Sequence, residues 1–228
     1  MNKEKIIAVI PVRAGSKRLQ NKNILTFGNS NLLIHKIRQL KQVSNIDKIL
    51  VSSDSEEMLQ MACNEGVYTY KRPPEFCDEI TKTFNEVVEH TAMNIEENHI
   101  MWAPCVCPLT SPKSYEKAVE TYKEFVINKQ LFDSVISAKV FKEYLFADNR
   151  PINYDPENHV PSQFLPDWKV IFNGFYIAPK KSMIKWKYLY GKNPHLIILD
   201  KKESIDIDDK EDFEVAKALL NLQEVEIG

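Results

Sequence analysis

At 228 residues the chain is long enough to bury one substantial core, and its 43% hydrophobic and 27% charged residues are those of an ordinary globular protein. A formal net charge of −2 argues against a general nucleic-acid or membrane-surface binder, which would be clearly basic. Strong positive charge, where it occurs, is therefore local, and local charge marks a site. The four cysteines, Cys63, Cys77, Cys105 and Cys107, form no CxxC pair and have no histidine companion at zinc spacing. They read as reduced, mostly buried thiols of a cytoplasmic protein. The amino terminus is charged early and carries no signal-peptide core, and no apolar run approaches the ~20 residues of a membrane span.

The first predicted strand covers 6–12 and is wholly apolar from Ile6 to Ile10. After Pro11, four cations (Arg13, Lys17, Arg18 and Lys22) crowd around the small residues Ala14, Gly15 and Ser16. A buried strand feeding a tight basic loop is how a parallel sheet presents an anion site at its carboxyl end. Backbone N–H groups at the glycine turn would face phosphate oxygens, and this charge density suits a triphosphate. The loop is neither a P-loop nor a dinucleotide fingerprint.

A helix over 32–42 follows, with Leu32, Leu33, Ile37 and Leu40 on one face, then a strand over 48–52. That strand ends in Val51-Ser-Ser-Asp54, where Asp54 either acts in the crevice or caps the next helix. The helix spans 55–65, with Ser55 as cap and Gly66 as terminator. A short strand over 67–70 leads into Lys71-Arg-Pro-Pro-Glu75, where Arg72 either reaches a base or phosphate or lies on a surface turn. Next come a helix over 83–95, a strand over 100–106, a helix over 114–126 and a strand over 134–138. Phe84, Val87, Val88 and Thr91 share one face of the first of these helices. From about 140 to 170 periodicity is lost among Pro151, Pro156, Pro161 and Pro166, which marks an insert or lid. Strands over 170–177 and 196–199 and a helix over 210–222, capped by Asp208 or Asp209, complete the pattern. The βαβ alternation predicts one domain over 1–228 with a Rossmann-like, doubly wound, mainly parallel sheet and a small inserted segment.

Ser204-Ile-Asp206-Ile-Asp208 is the second charged constellation. On a strand its two carboxylates would share one face, about 6–7 Å apart, which suits a hard cation such as Mg²⁺ beside a nucleotide. The alternative is a pair of exposed acids at a helix start. Gln163 and, further on, Asn173 and Tyr176 offer donors and acceptors for a polyhydroxylated substrate, or form a plain turn at Asn173-Gly174 with core aromatics. The five histidines are scattered and carry no assigned chemistry.

Ile10-Pro-Val-Arg-Ala-Gly-Ser-Lys-Arg-Leu, with Lys22-Asn23 beyond, resembles the opening signature of the acylneuraminate cytidylyltransferases, or CMP-sialic acid synthetases, including relatives that activate legionaminic, pseudaminic and Kdo-type acids. The similarity continues through Val51-Ser-Ser-Asp54, Arg72-Pro73, Ser162-Gln163 with Leu165-Pro166, Asn173-Gly174 with Tyr176, and Ser204 to Asp208. It runs in order along nearly the whole chain. The resemblance implies a nucleotidyltransferase-type fold and transfer of CMP from CTP to a 2-keto-3-deoxy sugar acid, with pyrophosphate released. It implies Mg²⁺ as cofactor and a homodimer whose inserted segment reaches the neighbouring subunit. Its implied roles are the triphosphate for Arg13 and Lys22, and the nucleotide for Ala14, Gly15, Ser16, Lys17, Asn23, Arg72 and Thr81. Gln163, Asn173 and Tyr176 would face the sugar acid. Asp206 and Asp208 would hold Mg²⁺, with Asp208 or a metal-bound water taking the acceptor's proton. The chain departs from the family's usual Gln-Pro-Thr-Ser-Pro-Leu-Arg at Pro104-Cys-Val-Cys-Pro-Leu-Thr110, on the acceptor side. A different acid acceptor such as a phosphonate, and a catalytically silent nucleotide-binding homologue, are the competing readings. The transferase readings require the basic loop and the paired acids to line a single cleft.

Overall fold

A computed structural model of the chain describes residues 4–16 and 18–227, the last five of these as helix backbone. In chain order the strands are β1 (Ile6–Pro11), β2 (Thr26–Phe27), β3 (Ser30–Asn31), β4 (Lys48–Ser53), β5 (Tyr68–Lys71), β6 (His99–Trp102), β7 (Ser134–Phe141), β8 (Phe146–Ala147), β9 (Arg150–Pro151), β10 (Trp168–Pro179) and β11 (Pro194–Ile198). The helices are α1 (Leu32–Lys41), α2 (Glu56–Asn64), α3 (Phe84–Met93), α4 (Pro112–Tyr122), α5 (Lys180–Trp186) and α6 (Lys210–Ile227).

Seven strands form one sheet in the order β11-β7-β10-β6-β1-β4-β5. β1 pairs in parallel with β4 and β6, β4 with β5, and β7 with β11; β10 alone runs antiparallel, between β6 and β7. β1 is buried on both faces, which explains its unbroken apolar run. Ile6, Ala8 and Ile10 pack with α1, α2, α4 and α6, while Ile7 and Val9 pack on the opposite side with Val88 and Ala92 of α3 and Met183 of α5. The mainly parallel, doubly wound sheet expected from the βαβ pattern is present.

Local signals account for the element boundaries. Ser55 accepts from the Met58 N–H and caps α2, as expected. Asp209 caps α6, accepting from the Glu211 and Asp212 N–H groups, and Asp212 returns the bond to the Asp209 N–H. Three expectations are corrected, and one helix was not expected. The strand over 100–106 stops at Trp102, and Ala103 leads into a loop. The segment 205–208 pairs through one bond only, the Ile207 N–H to the Val106 carbonyl, and is not a strand. Asn173-Gly174 is not a turn: it lies inside β10, where the register slips between Ile171 and Tyr176. Helix α5 carries only one buried side chain, Met183, too weak an apolar stripe for its sequence to announce it. The region after β7 does leave the sheet, forming the β8–β9 ladder and a short 3₁₀ turn at Ser162–Phe164 before β10 returns.

Candidate active site

The carboxyl ends of β1 and β6 open onto a cleft of about 690 Å³. Its walls include Arg13, Ser16, Arg18, Lys22 and Asn23 from the basic loop, Arg72 after β5, Trp102 and Pro104 after β6, Asn173 of β10, and Asp208. The two charged constellations, almost 200 residues apart in sequence, therefore meet. Arg18 and Asp208 form an ion pair at 2.7 Å, and the Lys22 Nζ donates to the Ile207 carbonyl at 2.7 Å.

The basic loop is held from below. The Ala14 N–H donates to Asp54 Oδ1 at 2.9 Å, so Asp54 pins the loop and leaves the helix cap to Ser55. Gly15 adopts φ +67°, a left-handed conformation that glycine takes without strain. Asn23 is buried and its Nδ2 donates to the Arg13 carbonyl at 3.3 Å. Arg72 is 4% exposed rather than on a surface turn; its Nη2 donates to the Val12 carbonyl and its Nε to Cys77 Sγ. Arg13 reaches across the cleft mouth to Glu79 Oε1 at 2.6 Å. Lys17 lies outside the described residues.

The acidic wall is asymmetric. Asp208 is half exposed and paired with Arg18. Asp206 is turned inward: its Oδ2 accepts from Asn173 Nδ2 at 2.8 Å, while its Oδ1 is buried with no hydrogen-bond partner among the described residues. Burial pushes the Asp206 carboxyl pKa up, opposed by the Asn173 bond and reinforced by the negative charge of Asp208. Burial pushes the Lys22 ammonium down, against the attraction of Asp208 and Asp206. Tyr176 does not face the cleft directly. It is 6% exposed, and its hydroxyl donates to Asn173 Oδ1 at 3.1 Å, fixing the amide that in turn fixes Asp206. A buried carboxylate oxygen without a donor, next to a second carboxylate, fits a divalent cation that a nucleotide would help ligate. Among the described residues no group of three or more His, Cys, Asp or Glu side chains gathers to hold a metal by itself.

Two of the sequence candidates stand apart from these residues. Thr81 is exposed and bonds Asp78 through its N–H and hydroxyl. Gln163 is exposed on the inserted segment, where its carbonyl accepts from Lys142 Nζ. Conversely, Phe76, Glu79, Lys82, Phe84, Val87, Val106 and Leu189 line the cleft without having been singled out for it. The helical spacing of Phe84 and Val87 was the available signal. Their face of α3 divides, with Val88 and Thr91 entering the core and Phe84 and Val87 lining the cleft.

A mainly parallel sheet with one reversed strand, and a cleft of cations and carboxylates at its carboxyl edge, define an α/β protein of nucleotidyltransferase type. The chain belongs to the cytidylyltransferase family, whose pattern matches residues 7–159. It is 28% identical over 225 residues to N-acylneuraminate cytidylyltransferase of Escherichia coli, covering 93% of this chain and 51% of that protein. It is 26% identical over 226 residues to pseudaminic acid cytidylyltransferase of Campylobacter jejuni (94% and 96% covered). It is 29% identical over 240 residues to CMP-N,N'-diacetyllegionaminic acid synthase of Legionella pneumophila (96% and 98% covered). The chain thus spans about half the length of the first relative and nearly all of the other two. Its fold is similar to that of a CMP:2-keto-3-deoxy-manno-octonic acid synthetase complexed with CTP (TM-score 0.73, 13% identity, 96% of this chain and 99% of that one). It is also similar to that of 4-diphosphocytidyl-2C-methyl-D-erythritol synthase from Anaerococcus prevotii (TM-score 0.69, 14% identity, 96% of each chain).

Proposed function

We propose that this protein transfers the cytidylyl group of CTP to a 2-keto-3-deoxy sugar acid of the nonulosonic type and releases pyrophosphate. The observation that carries the proposal is the meeting of Arg18 and Lys22 with the Asp206–Asp208 segment in one cleft. The names of the relatives support the acceptor class. In this reading the anomeric hydroxyl attacks the α-phosphorus in line, its bond to phosphorus forms as the bond to the bridging oxygen breaks, and pyrophosphate leaves. Arg13, Arg18 and Lys22 neutralise the triphosphate and the departing pyrophosphate. The Gly15 and Ser16 backbone approaches the phosphates, and Arg72 and Asn23 line the nucleotide side. Asp208, at the cleft mouth, accepts the hydroxyl proton. Asp206 and Asp208 would hold Mg²⁺, which, when bound, supplies positive charge against the phosphates. Tyr176 and Asn173 hold Asp206 in place, and Gln163 comes to the acceptor from the inserted segment.

In this reading the enzyme works in the cytoplasm, where CTP is made, and as a homodimer. Support for the dimer comes from the inserted segment, where Phe146 is 61% and Phe164 68% exposed. The test is pyrophosphate release from CTP, GTP, UTP and ATP against a panel of nonulosonic acids, a Kdo-type acid and a phosphonate, with and without Mg²⁺. Release that needs CTP, Mg²⁺ and a nonulosonic acid is expected. Release with the phosphonate alone would move the acceptor class, and CTP binding without turnover on any acid would leave a silent homologue.

A further inference from the structure

Lys36 of α1 is fully buried, and among the described residues no carboxylate lies within ion-pair distance of it. An isolated buried ammonium is costly, so what it holds matters. Its Nζ donates to the Cys107 carbonyl at 2.8 Å and to the Tyr115 hydroxyl of α4. That hydroxyl in turn donates to the Gly174 carbonyl at 3.4 Å. The 104–110 loop and the Asn173-Gly174 bulge are thus tied to one buried nitrogen. Both contribute to the cleft: Pro104 and Val106 line it from the loop, and Asn173 lines it from β10 while holding Asp206. The same loop meets the acidic segment where the Ile207 N–H donates to the Val106 carbonyl at 2.8 Å. Neighbouring α1 side chains reinforce the grip, since Gln39 Nε2 donates to the Pro108 and Thr110 carbonyls and His35 Nε2 lies 3.0 Å from the Pro108 carbonyl.

We propose that Lys36 is a positioning residue for the acceptor side of the cleft, setting the 104–110 loop against the Asn173-Gly174 bulge from behind the reacting groups. The kinetic part of this proposal rests on the cytidylyltransferase reading; the structural part does not. The titratable groups facing Lys36 are the Cys105 and Cys107 thiols of the loop, the Tyr115 phenol of α4, and His35 beside it on α1. Burial pushes the thiols and the phenol up and His35 down to about 4, so each is uncharged around neutral pH. Burial also lowers the Lys36 ammonium to about 8. Above that pH its bonds become neutral ones, roughly half as strong as charge-assisted ones.

The test compares the wild-type protein with Lys36→Met, an uncharged side chain of similar length, and with Tyr115→Phe, which keeps the ring and removes the link to Gly174. Hydrogen–deuterium exchange should rise in peptides spanning 104–110 and 172–176 of both variants and stay unchanged across β1 and the 12–23 loop. The thermal midpoint of Lys36→Met should not fall, because a buried charge has been removed. KM for the acid should rise about tenfold while KM for CTP stays within twofold, and the wild-type increase in acid KM above about pH 8 should vanish in Lys36→Met. Unchanged exchange in both segments would overturn the proposal whatever the enzyme's substrate. So would a general rise in exchange with a lower midpoint and parallel losses for both substrates, which is the mark of a purely structural lysine. Local exchange changes in a wild-type protein that turns over no acid would instead remove the functional reading and leave the structural linkage supported.

Discussion

The two carboxylates of the cleft are chemically unequal, and their inequality makes opposite demands on stability and turnover. Asp206 keeps a buried oxygen without a donor and has a raised pKa, first from burial. A carboxyl whose folded pKa exceeds its unfolded value opposes folding once pH passes from the unfolded value up through the folded one. Asp206→Asn should therefore raise the thermal midpoint of the ligand-free protein at pH 7, and the gain should disappear at acid pH, where the wild-type carboxyl is protonated. The same variant should lose Mg²⁺-dependent pyrophosphate release. A midpoint at or below that of the wild type would mean that Asp206 is satisfied by a partner other than Asn173. Arg13 and Asp208 face the cleft mouth and bear little of the fold. Arg13→Ala and Asp208→Ala should each lower kcat by roughly 10²–10³, or about 2.7–4 kcal/mol of barrier, with an unchanged circular dichroism spectrum. Near-normal turnover in both would remove them from the chemistry.

At the level of elements, the bulge in β10 decides where Asn173 points. A Cβ on Gly174 would lie 2.8 Å from Phe172 Cε2 and 2.9 Å from Ser137 Oγ. Ser137 Oγ is itself committed, donating to the Phe172 carbonyl and accepting from the Phe175 N–H. Gly174→Ala should cost about 1–3 kcal/mol in denaturant unfolding and weaken acceptor binding more than CTP binding. An unchanged unfolding midpoint would show that the strand can slide to make room. This bulge also marks the limit of what the sequence made legible. The βαβ order, the apolar β1, the Ser55 cap and the basic loop follow from local rules, and each is present. The Asn-Gly pair was equally good as a turn, because only pairing with β7 and β6 on either side keeps it extended. Likewise, 205–208 alternates like a strand, but its one ladder-like bond runs to a loop. Glu79 opposite Arg13, and Lys36 beneath the 104–110 loop, had no motif to expose them, since each acquires its role from chain segments distant in sequence.

For the whole molecule, the inserted segment is the part least explained by one copy of the chain. Ile152, Phe146, Phe164 and Trp168 leave apolar surface open to solvent. Sedimentation should show a dimer, and Phe146→Ser with Phe164→Ser should yield a monomer that keeps its far-ultraviolet spectrum. A wild-type protein that remains monomeric at high concentration would end the dimer reading. One further consequence comes from the reversed strand. β10 is the sole link between the β11–β7 pair and the β6-β1-β4-β5 block, and of the strands in that sheet only β11 follows it in the chain. A nascent chain emerging from the ribosome therefore exposes its cationic turn long before a complete sheet exists, and β7 and the β6-β1-β4-β5 block carry unpaired edges until residues 168–179 arrive to join them. Competence to handle polyanions is thus deferred until residues 204–208 have been made, when the closing acids dock onto a scaffold already zipped shut.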